Sequence, residues 1–369
     1  MTKKVIAIIS ILKPIDDTRN YEKIARSIGN TNKYDINIIG FLPKKIPDAV
    51  NTVFHPIFNF HRLSLKRFLA PLKIFNLLLK LKPELIIVTC TDLLIVSILN
   101  KILFGTKIIY DIQENYYRNI IYSGAYSTVI KYPLAWIVRI TEMLSAPLVD
   151  KFILAEKIYS KQLHFTSSKS VVVENMALIP KDLSISKSNS NSEIVLLYSG
   201  TISAHYGIFE AIELVQRLKN VNNNISLRIL GYASQTHIRN KLIKLTEGLN
   251  FISIIGIDRL VPHDQILTEM NNVDFCILPY QFNQSTSGRI PTKLYECLAM
   301  EKPVIINSNE TWNNIIEQNN AGIIYDFNAS LEFPEDKLNQ TFYGKNRSNQ
   351  YKWENNSAEI VDTVKNLIG

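Results

Sequence analysis

Lys293 and Glu296 stand three residues apart in Pro291-Thr292-Lys293-Leu294-Tyr295-Glu296-Cys297-Leu298-Ala299-Met300. That spacing is close to one helical turn, so the lysine and the carboxylate project from the same face of a helix. Leu294, Leu298 and Ala299 supply its apolar stripe. Pro291 suits the first turn, where a missing N–H costs little, and Pro303 stops the helix before the apolar strand Val304-Ile305-Ile306. A helix N-terminus bearing a lysine is a seat for a diphosphate, because N–H groups and the positive dipole end face the anion. A carboxylate one turn further in can accept hydrogen bonds from a vicinal diol such as a ribose. On spacing alone the pair also reads as a surface Lys–Glu ion pair; the wider pattern decides between the two.

Several motifs recur in a fixed order along the chain. Asp17-Thr18-Arg19 follows the first apolar run, Tyr110-Asp111-Ile112-Gln113-Glu114 lies mid-way, Tyr198-Ser199-Gly200-Thr201 follows a polar linker, and Trp353-Glu354 lies near the end. Lys293-Leu294-Tyr295-Glu296, Ala299 and Lys302-Pro303-Val304-Ile305 fit the pattern K-L-x-E-x-x-A-x-x-K-P-V-I. This ordered set resembles the glycosyltransferase family 4 group, nucleotide-sugar enzymes with the two-domain GT-B fold, and the resemblance covers nearly the whole chain. It implies a donor on the second domain and an acceptor on the first. Glu296 would hold the ribose, Lys293 and the backbone around Ser287-Gly288 the diphosphate, and the backbone near Gly256 and Ile257 would face the base. It implies transfer of a hexosyl or N-acetylhexosaminyl group from a nucleoside-diphosphate-sugar to a glycan or lipid-linked glycan acceptor, in bacterial surface polysaccharide or glycan assembly. Retention of anomeric configuration is the family expectation. The nucleotide-sugar is a substrate; no cofactor and no metal are expected.

Two departures from the family bear on the chemistry. Where many members carry a glutamate eight residues before the ribose glutamate, this chain has Gly288, and Gln281 to Thr292 contains no acid. Where many carry Arg after the glycine of the post-linker strand, and Lys in the next turn, this chain has Thr201 and Tyr206. Charge developing on a leaving diphosphate needs fixed donors; Lys293 and Arg289 are the expected cations, with His205 third. In the first domain the family histidine is replaced by Gln113, which can donate to a sugar hydroxyl but cannot shuttle a proton. Asp17, Asp111 and Glu114 remain as acids for acceptor contact or base chemistry. Asp17 also reads as a helix N-cap, and Asp111 and Glu114 as structural ion-pair members. A nucleotide-sugar epimerase of the same fold, and a non-catalytic sugar-nucleotide-binding partner subunit, stay open as alternatives.

Short apolar runs alternate with longer periodic segments, which predicts parallel sheets covered by helices. The expected architecture is α/β: two Rossmann-like parallel-sheet domains with a cleft between them and a C-terminal helix crossing back. Residues 1–178 form the acceptor-side domain, 179–192 the linker, 193–345 the donor-binding domain and 346–369 the returning helix. Strands are expected at Val5–Ser10, Ile36–Phe41, Leu85–Thr89, Lys107–Asp111, Lys151–Ala155 and Val171–Glu174. In the second half they are expected at Ile194–Tyr198, Ser226–Leu230, Ile252–Ile255, Phe275–Leu278, Val304–Ile306 and Gly322–Tyr325. Helices are expected near Asn20–Gly29, Leu63–Leu81, Leu93–Leu103, Thr128–Leu144, Ile208–Leu218 and Ser357–Ile368. Parallel sheets bind ligands at the carboxyl ends of their strands. Gly200, Gly231 and Gly256 each follow such a run, and three at successive strand ends point to a ligand rim, which Thr201 extends. G-x-G-x-x-G and P-loop patterns are absent.

At 369 residues the chain suits two domains. Its 41 basic against 33 acidic residues, a net charge of +8, suit an anionic partner. Nucleic acid is not expected, since the sequence has no arginine-rich recognition helix and no zinc spacing. Cys90 and Cys276 sit in apolar runs and read as reduced core thiols. Val5-Ile6-Ala7-Ile8-Ile9 reads as a buried strand, no apolar stretch is long enough to span a membrane, and a cytoplasmic protein is expected. Residues 61–82 are basic, apolar and helix-prone: either a core helix with a solvated rim or a helix docking on an anionic membrane surface, which would place the protein peripherally on the inner face.

Overall fold

Isoleucine and valine dominate the strand-forming runs, and most are buried on both sides, as parallel sheets covered by helices require. The computed structural model describes residues 3–43, 46–49, 51–60, 64–122, 124, 126–184, 193–329, 332–344 and 348–369. The chain divides into two units, Met1–Asn175 together with Trp353–Gly369, and Met176–Lys352.

The first unit runs β1 (Lys4–Pro14), a π-helical turn Thr18–Ala25 continuing as α1 (Arg26–Gly29), β2 (Tyr34–Phe41), β3 (Thr52–Phe58) and α2 (Lys66–Leu81). Then come β4 (Leu85–Val88), α3 (Leu94–Phe104), β5 (Lys107–Ile112), α4 (Tyr116–Tyr122), α5 (Thr128–Ser145), β6 (Lys151–Leu154), α6 (Ile158–Gln162) and β7 (Ser170–Val172). The seven strands are ordered β3-β2-β1-β4-β5-β6-β7, and every pairing is parallel. Ile9, Val88 and Ile108 pack beneath Ala70, Ile74 and Leu78 of α2 and Leu94 of α3.

The second unit runs β8 (Ile194–Thr201), α7 (Ile208–Val221), β9 (Ile225–Tyr232), α8 (Thr236–Thr246), β10 (Ile252–Ile255), α9 (His263–Asn271) and β11 (Phe275–Leu278). It continues with α10 (Thr292–Ala299), β12 (Val304–Asn307), α11 (Glu310–Asn319) and β13 (Gly322–Tyr325). Its parallel sheet is ordered β10-β9-β8-β11-β12-β13. The last helix, α12 (Glu354–Ile368), is built into the first unit. Trp353 Nε1 donates to Ser27 Oγ at 2.9 Å, Asn356 Nδ2 to the Glu174 carbonyl at 2.8 Å, and Ile360 and Val364 are buried.

The sequence does not announce β3, α4, α6, α8, α9 or α11. Pro56 interrupts the β3 pattern, and the strand tolerates it because β3 lies at the sheet edge, paired only with β2. Pro291 is the N-cap of α10 with an extended backbone (ψ 148°), one residue before the expected first turn. In the expected linker, Ile179 and Leu183 pack against the core of the second unit, while residues 185–192 lie outside the described residues, as do 61–63 of the basic stretch. Cys90, Cys276 and Cys297 are buried and free.

A buried carboxyl sits beneath α5. Tyr110 Oη donates to Glu142 Oε1 at 3.0 Å, and Arg139 Nη1 lies 3.3 Å from Oε2. Burial pushes the Glu142 carboxyl up to about 7, against the smaller opposing effects of Arg139 and the Tyr110 bond. A folded-state value raised above the unfolded one favours folding below the unfolded pKa, and that advantage is lost as pH rises through the folded value. Glu142→Gln should therefore flatten the fall in stability between about pH 4.5 and 7 and raise the melting temperature at pH 8, as scanning calorimetry across pH can check. An unchanged pH profile would place the titration elsewhere.

Candidate functional site

At the carboxyl ends of β8, β9 and β10 the backbone lies bare. Gly200 and Gly231 are register partners, and Gly256 follows Ile255, the partner of Leu230. A Cβ on Gly231 would collide with the Gly200 carbonyl oxygen, and one on Gly256 with Val261. Gly200 and Gly256 both have positive φ, +99° and +86°, which residues with side chains rarely adopt. The row ends under Lys293: a Cβ on Gly200 would sit 2.5 Å from Lys293 Cε and 2.8 Å from Nζ. Only glycine leaves the ammonium room to lie over the strand end.

Lys293 occupies the first turn of α10, whose N-cap Pro291 offers no side-chain acceptor. Glu296, one turn on, is 3% exposed, and its Oε1 lies 2.7 Å from Nε2 of His263 at the start of α9. The sequence reading missed His263. It lies 33 positions upstream of Glu296 and is positioned by Val261-Pro262, the same segment that packs on Gly256.

The loop before α10 is held by its own hydrogen bonds. Asn283 Oδ1 accepts from Ser285 N at 2.8 Å and Thr286 N at 3.2 Å. Ser287 N–H donates to the Asn283 carbonyl at 2.8 Å, so this N–H closes the loop, and Gly288 follows at φ +82°. Arg289 is half-buried; its carbonyl accepts from Trp312 Nε1 at 2.7 Å, and Phe282 and Tyr280 stack edge-on against the same indole. Gln281 N–H donates to the His205 carbonyl at 3.0 Å, tying this loop to the one after β8. Burial, then the nearby Arg289 charge, pushes the His205 imidazole below its ordinary value. His205 is thus driven toward its neutral form. Thr201 is exposed, and its carbonyl accepts from Tyr198 Oη at 3.2 Å; the Ile257 carbonyl accepts from Ala233 N at 2.9 Å. The structure thus brings Gly200, Gly231, Gly256, Lys293 and Glu296 to one rim, with Arg289 on the loop that leads into α10.

In the first unit, Asp111 is fully buried at the end of β5. Arg19 grips it bidentately, Nε to Oδ2 at 3.0 Å and Nη2 to Oδ1 at 2.7 Å, and Gln113 Nε2 donates to Oδ2 at 2.7 Å. Gln113 also donates to Asn20 Oδ1 at 2.9 Å and accepts from Lys13. Asp17 caps the turn at Thr18–Ala25: its Oδ1 accepts from Arg19 N and Asn20 N, and Oδ2 lies 3.5 Å from Lys13 Nζ. Glu114 is exposed and accepts from Asn119 Nδ2 at 2.6 Å, outside this network. Asp17, Asp111 and Gln113 are therefore brought together, and both acids have their oxygens occupied by donors of the fold. Among the described residues no cluster of three His, Cys, Asp or Glu side chains could hold a metal ion.

Two parallel-sheet Rossmann-like units of this topology define the GT-B class. The chain superposes over 99% of its length on 99% of sucrose-phosphate synthase from Thermosynechococcus elongatus, with a TM-score of 0.70 at 13% identity. It covers 99% of itself and all of HepE from Anabaena, solved with UDP and glucose, at 0.59 and 13%. UDP-GlcNAc 2-epimerase from Neisseria meningitidis, solved with UDP-GlcNAc, gives 0.59 and 13% over 98% of this chain and 100% of that one. At these identities the likeness is one of fold. Residues 180–357 match the family model of glycosyl transferases group 1, which supports a glycosyltransferase. No curated protein matches the chain in sequence.

Gly200→Ala should cost about 1–2 kcal/mol in stability, the strain of a side-chain-bearing residue at positive φ. It should also weaken binding of a nucleoside diphosphate, because the methyl takes the space of Lys293. Lys293→Ala should then add less in the Gly200→Ala background than alone. Calorimetric titration of the four proteins checks this, and full additivity would separate the two residues.

Proposed function

We propose that this protein is a glycosyltransferase, of the family 4 kind, that transfers a hexosyl or N-acetylhexosaminyl group from a nucleoside-diphosphate-sugar to a glycan or lipid-linked glycan acceptor. The reading extends to retention of configuration, to work in bacterial surface polysaccharide or glycan assembly, and to a place on the inner face of the membrane, reached through the basic helix α2. The observation that carries it is the bare glycine row ending beneath Lys293, with Glu296 buried one turn deeper. A diphosphate at the N-terminus of α10 would meet Lys293, the helix dipole and, on the preceding loop, Arg289. A ribose beyond it would reach Glu296, whose carboxylate is already oriented by His263.

The acids support the stereochemical reading. Asp111 is neutralised by Arg19, Asp17 is spent on a helix cap and Lys13, and position 288 carries no side chain. Glu114, the third acid expected there, is exposed and accepts from Asn119 outside this network, and neither of the two engaged acids is a poised base. The leaving phosphate is then the strongest base near the acceptor hydroxyl and takes its proton on the same face, so the anomeric configuration is retained. The epimerase reading draws on the shared fold with UDP-GlcNAc 2-epimerase, and the partner-subunit reading on the missing acid at Gly288 and the missing arginine at Thr201.

Glu296→Ala should weaken nucleoside diphosphate binding by about 1.5–3 kcal/mol, the range for hydrogen bonds to a charged group, or roughly 10–100-fold in affinity. Unchanged affinity in a folded variant would remove the ribose from this position. Proton NMR of the product decides the reaction. An α linkage from an α-linked donor supports same-face transfer. A β linkage would instead promote Asp17, Asp111 and Glu114 as base candidates. Epimerised free nucleotide-sugar, or donor binding without turnover over a broad acceptor panel, would favour the respective alternative.

A further inference from the structure

We propose that the outer surface of α2, α3 and α5 together is the face by which the first unit rests on an anionic lipid leaflet. The idea deepens the membrane-borne acceptor of the proposed function and rests on that part of it; the donor rim does not depend on it. Right-handed crossovers from β3 to β4, β4 to β5 and β5 to β6 put all three helices on one side of the sheet, and α3 packs against both α2 and α5. Their buried residues are few for their length, three of the 16 in α2 and four of the 11 in α3. Helix α5 spans 18 residues, and its only buried side chains are Ala135, Glu142 and Ser145.

The solvent side is apolar instead. Phe68 and Leu72 of α2, Ile102 of α3, and Trp136, Ile140 and Leu144 of α5 are exposed by 79%, 59%, 68%, 53%, 48% and 74%. On α5 the polarity is inverted relative to a helix packed under water, and a contiguous apolar patch of this kind marks an interaction surface.

The charges choose the occupant. Helix α2 carries four Lys or Arg, α3 one and α5 two, and the sole acid in the three is Glu142, buried at the sheet. Two copies meeting through this face would oppose like charges. Arg67, Lys101 and Arg139 are ion-paired with Asp92, Asp150 and Glu142, so the complement to an anionic leaflet comes from Lys66, Lys73, Lys80 and Lys131, while the Trp and Leu side chains enter the headgroup boundary. Among the described residues no helix is long and apolar enough to cross a membrane, so the contact is one of lying on the surface.

Flotation of the whole protein with vesicles tests this. Phosphatidylcholine vesicles containing about one-third phosphatidylglycerol should carry it at low salt and release it as salt rises; pure phosphatidylcholine should not. Two triple variants, Lys66→Glu with Lys73→Glu and Lys80→Glu, and Trp136→Ser with Ile140→Ser and Leu144→Ser, should each lower partitioning at least about 100-fold. Both should keep the melting-temperature rise given by a nucleoside diphosphate. The three lysines and the three apolar residues are all exposed, so either variant decides the matter should the other fail to fold. No flotation at low salt overturns the proposal, as does equal flotation with both vesicle types. A concentration-dependent dimer that the Trp136 variant dissolves, in protein that ignores vesicles, overturns it in favour of a second copy. If vesicles are ignored while the nucleotide still stabilises the protein, the docking surface falls and the glycosyltransferase reading stands. The reverse pattern would separate them the other way.

Discussion

The close approach of backbone to backbone at Gly200 and Gly231 governs what the second unit can offer a ligand. Strands β8 and β9 end in register, and the carbonyl oxygen of one glycine occupies the place where a side chain of the other would begin. The missing side chain at Gly231 allows that close strand approach, and the one at Gly200 lets a lysine from a helix three strands later in the chain lie over the strand end. A phosphate group needs that geometry, because its partners must approach from several directions within hydrogen-bond length. Any larger residue would fill the floor and lift Lys293 off it. The surrounding loop then has to be rigid without side chains reaching into the rim, which explains why Asn283, Trp312 and the His205 carbonyl hold it from behind.

The first unit solves a different problem. Arg19 and Asp111 are both almost wholly out of water, and two charges so placed are tolerated only when their hydrogen bonds are nearly complete. Gln113 and the Val173 carbonyl complete most of them. The pair joins the turn after β1 to the ends of β5 and β7, and so fixes the strand ends where an acceptor would be expected. Acids that hold a scaffold in this way are poor proton acceptors. Gln113 fits the same logic, since an amide can both donate to Asp111 and accept from Lys13 without itself titrating.

Much of this was legible in the sequence because burial writes itself into composition. The strands buried on both faces read as unbroken Ile and Val runs, and twelve of the thirteen were visible; β3 was hidden by Pro56, which an edge position allows. The small polar helices α8 and α11, rich in Lys, Asn and Gln, gave no apolar stripe strong enough to see. Lys293 and Glu296 could be paired because they lie on one helix turn. His263 could not be joined to Glu296, nor Arg19 to Asp111, because those contacts depend on which strands are neighbours. The double meaning of Asp17, cap or base, was also open until its two amide donors were in view. The apolar faces of α3 and α5 were invisible for the opposite reason: hydrophobic residues are read as core, and only the fold says that these point outward.

Trp353 and α12 close the first unit from the far end of the chain. A ribosome delivers residues in order, so the sheet of that unit emerges complete while the helix meant to cover α1 is still about 180 residues from synthesis. During that interval the surface that Ile360 and Val364 will bury, and the hydroxyl of Ser27 that awaits the Trp353 indole, stay open to water or to chaperones. The second unit is contiguous from Met176 to Lys352 and has no such wait. The later unit can therefore settle without waiting, while the earlier one becomes whole only once α12 has been added.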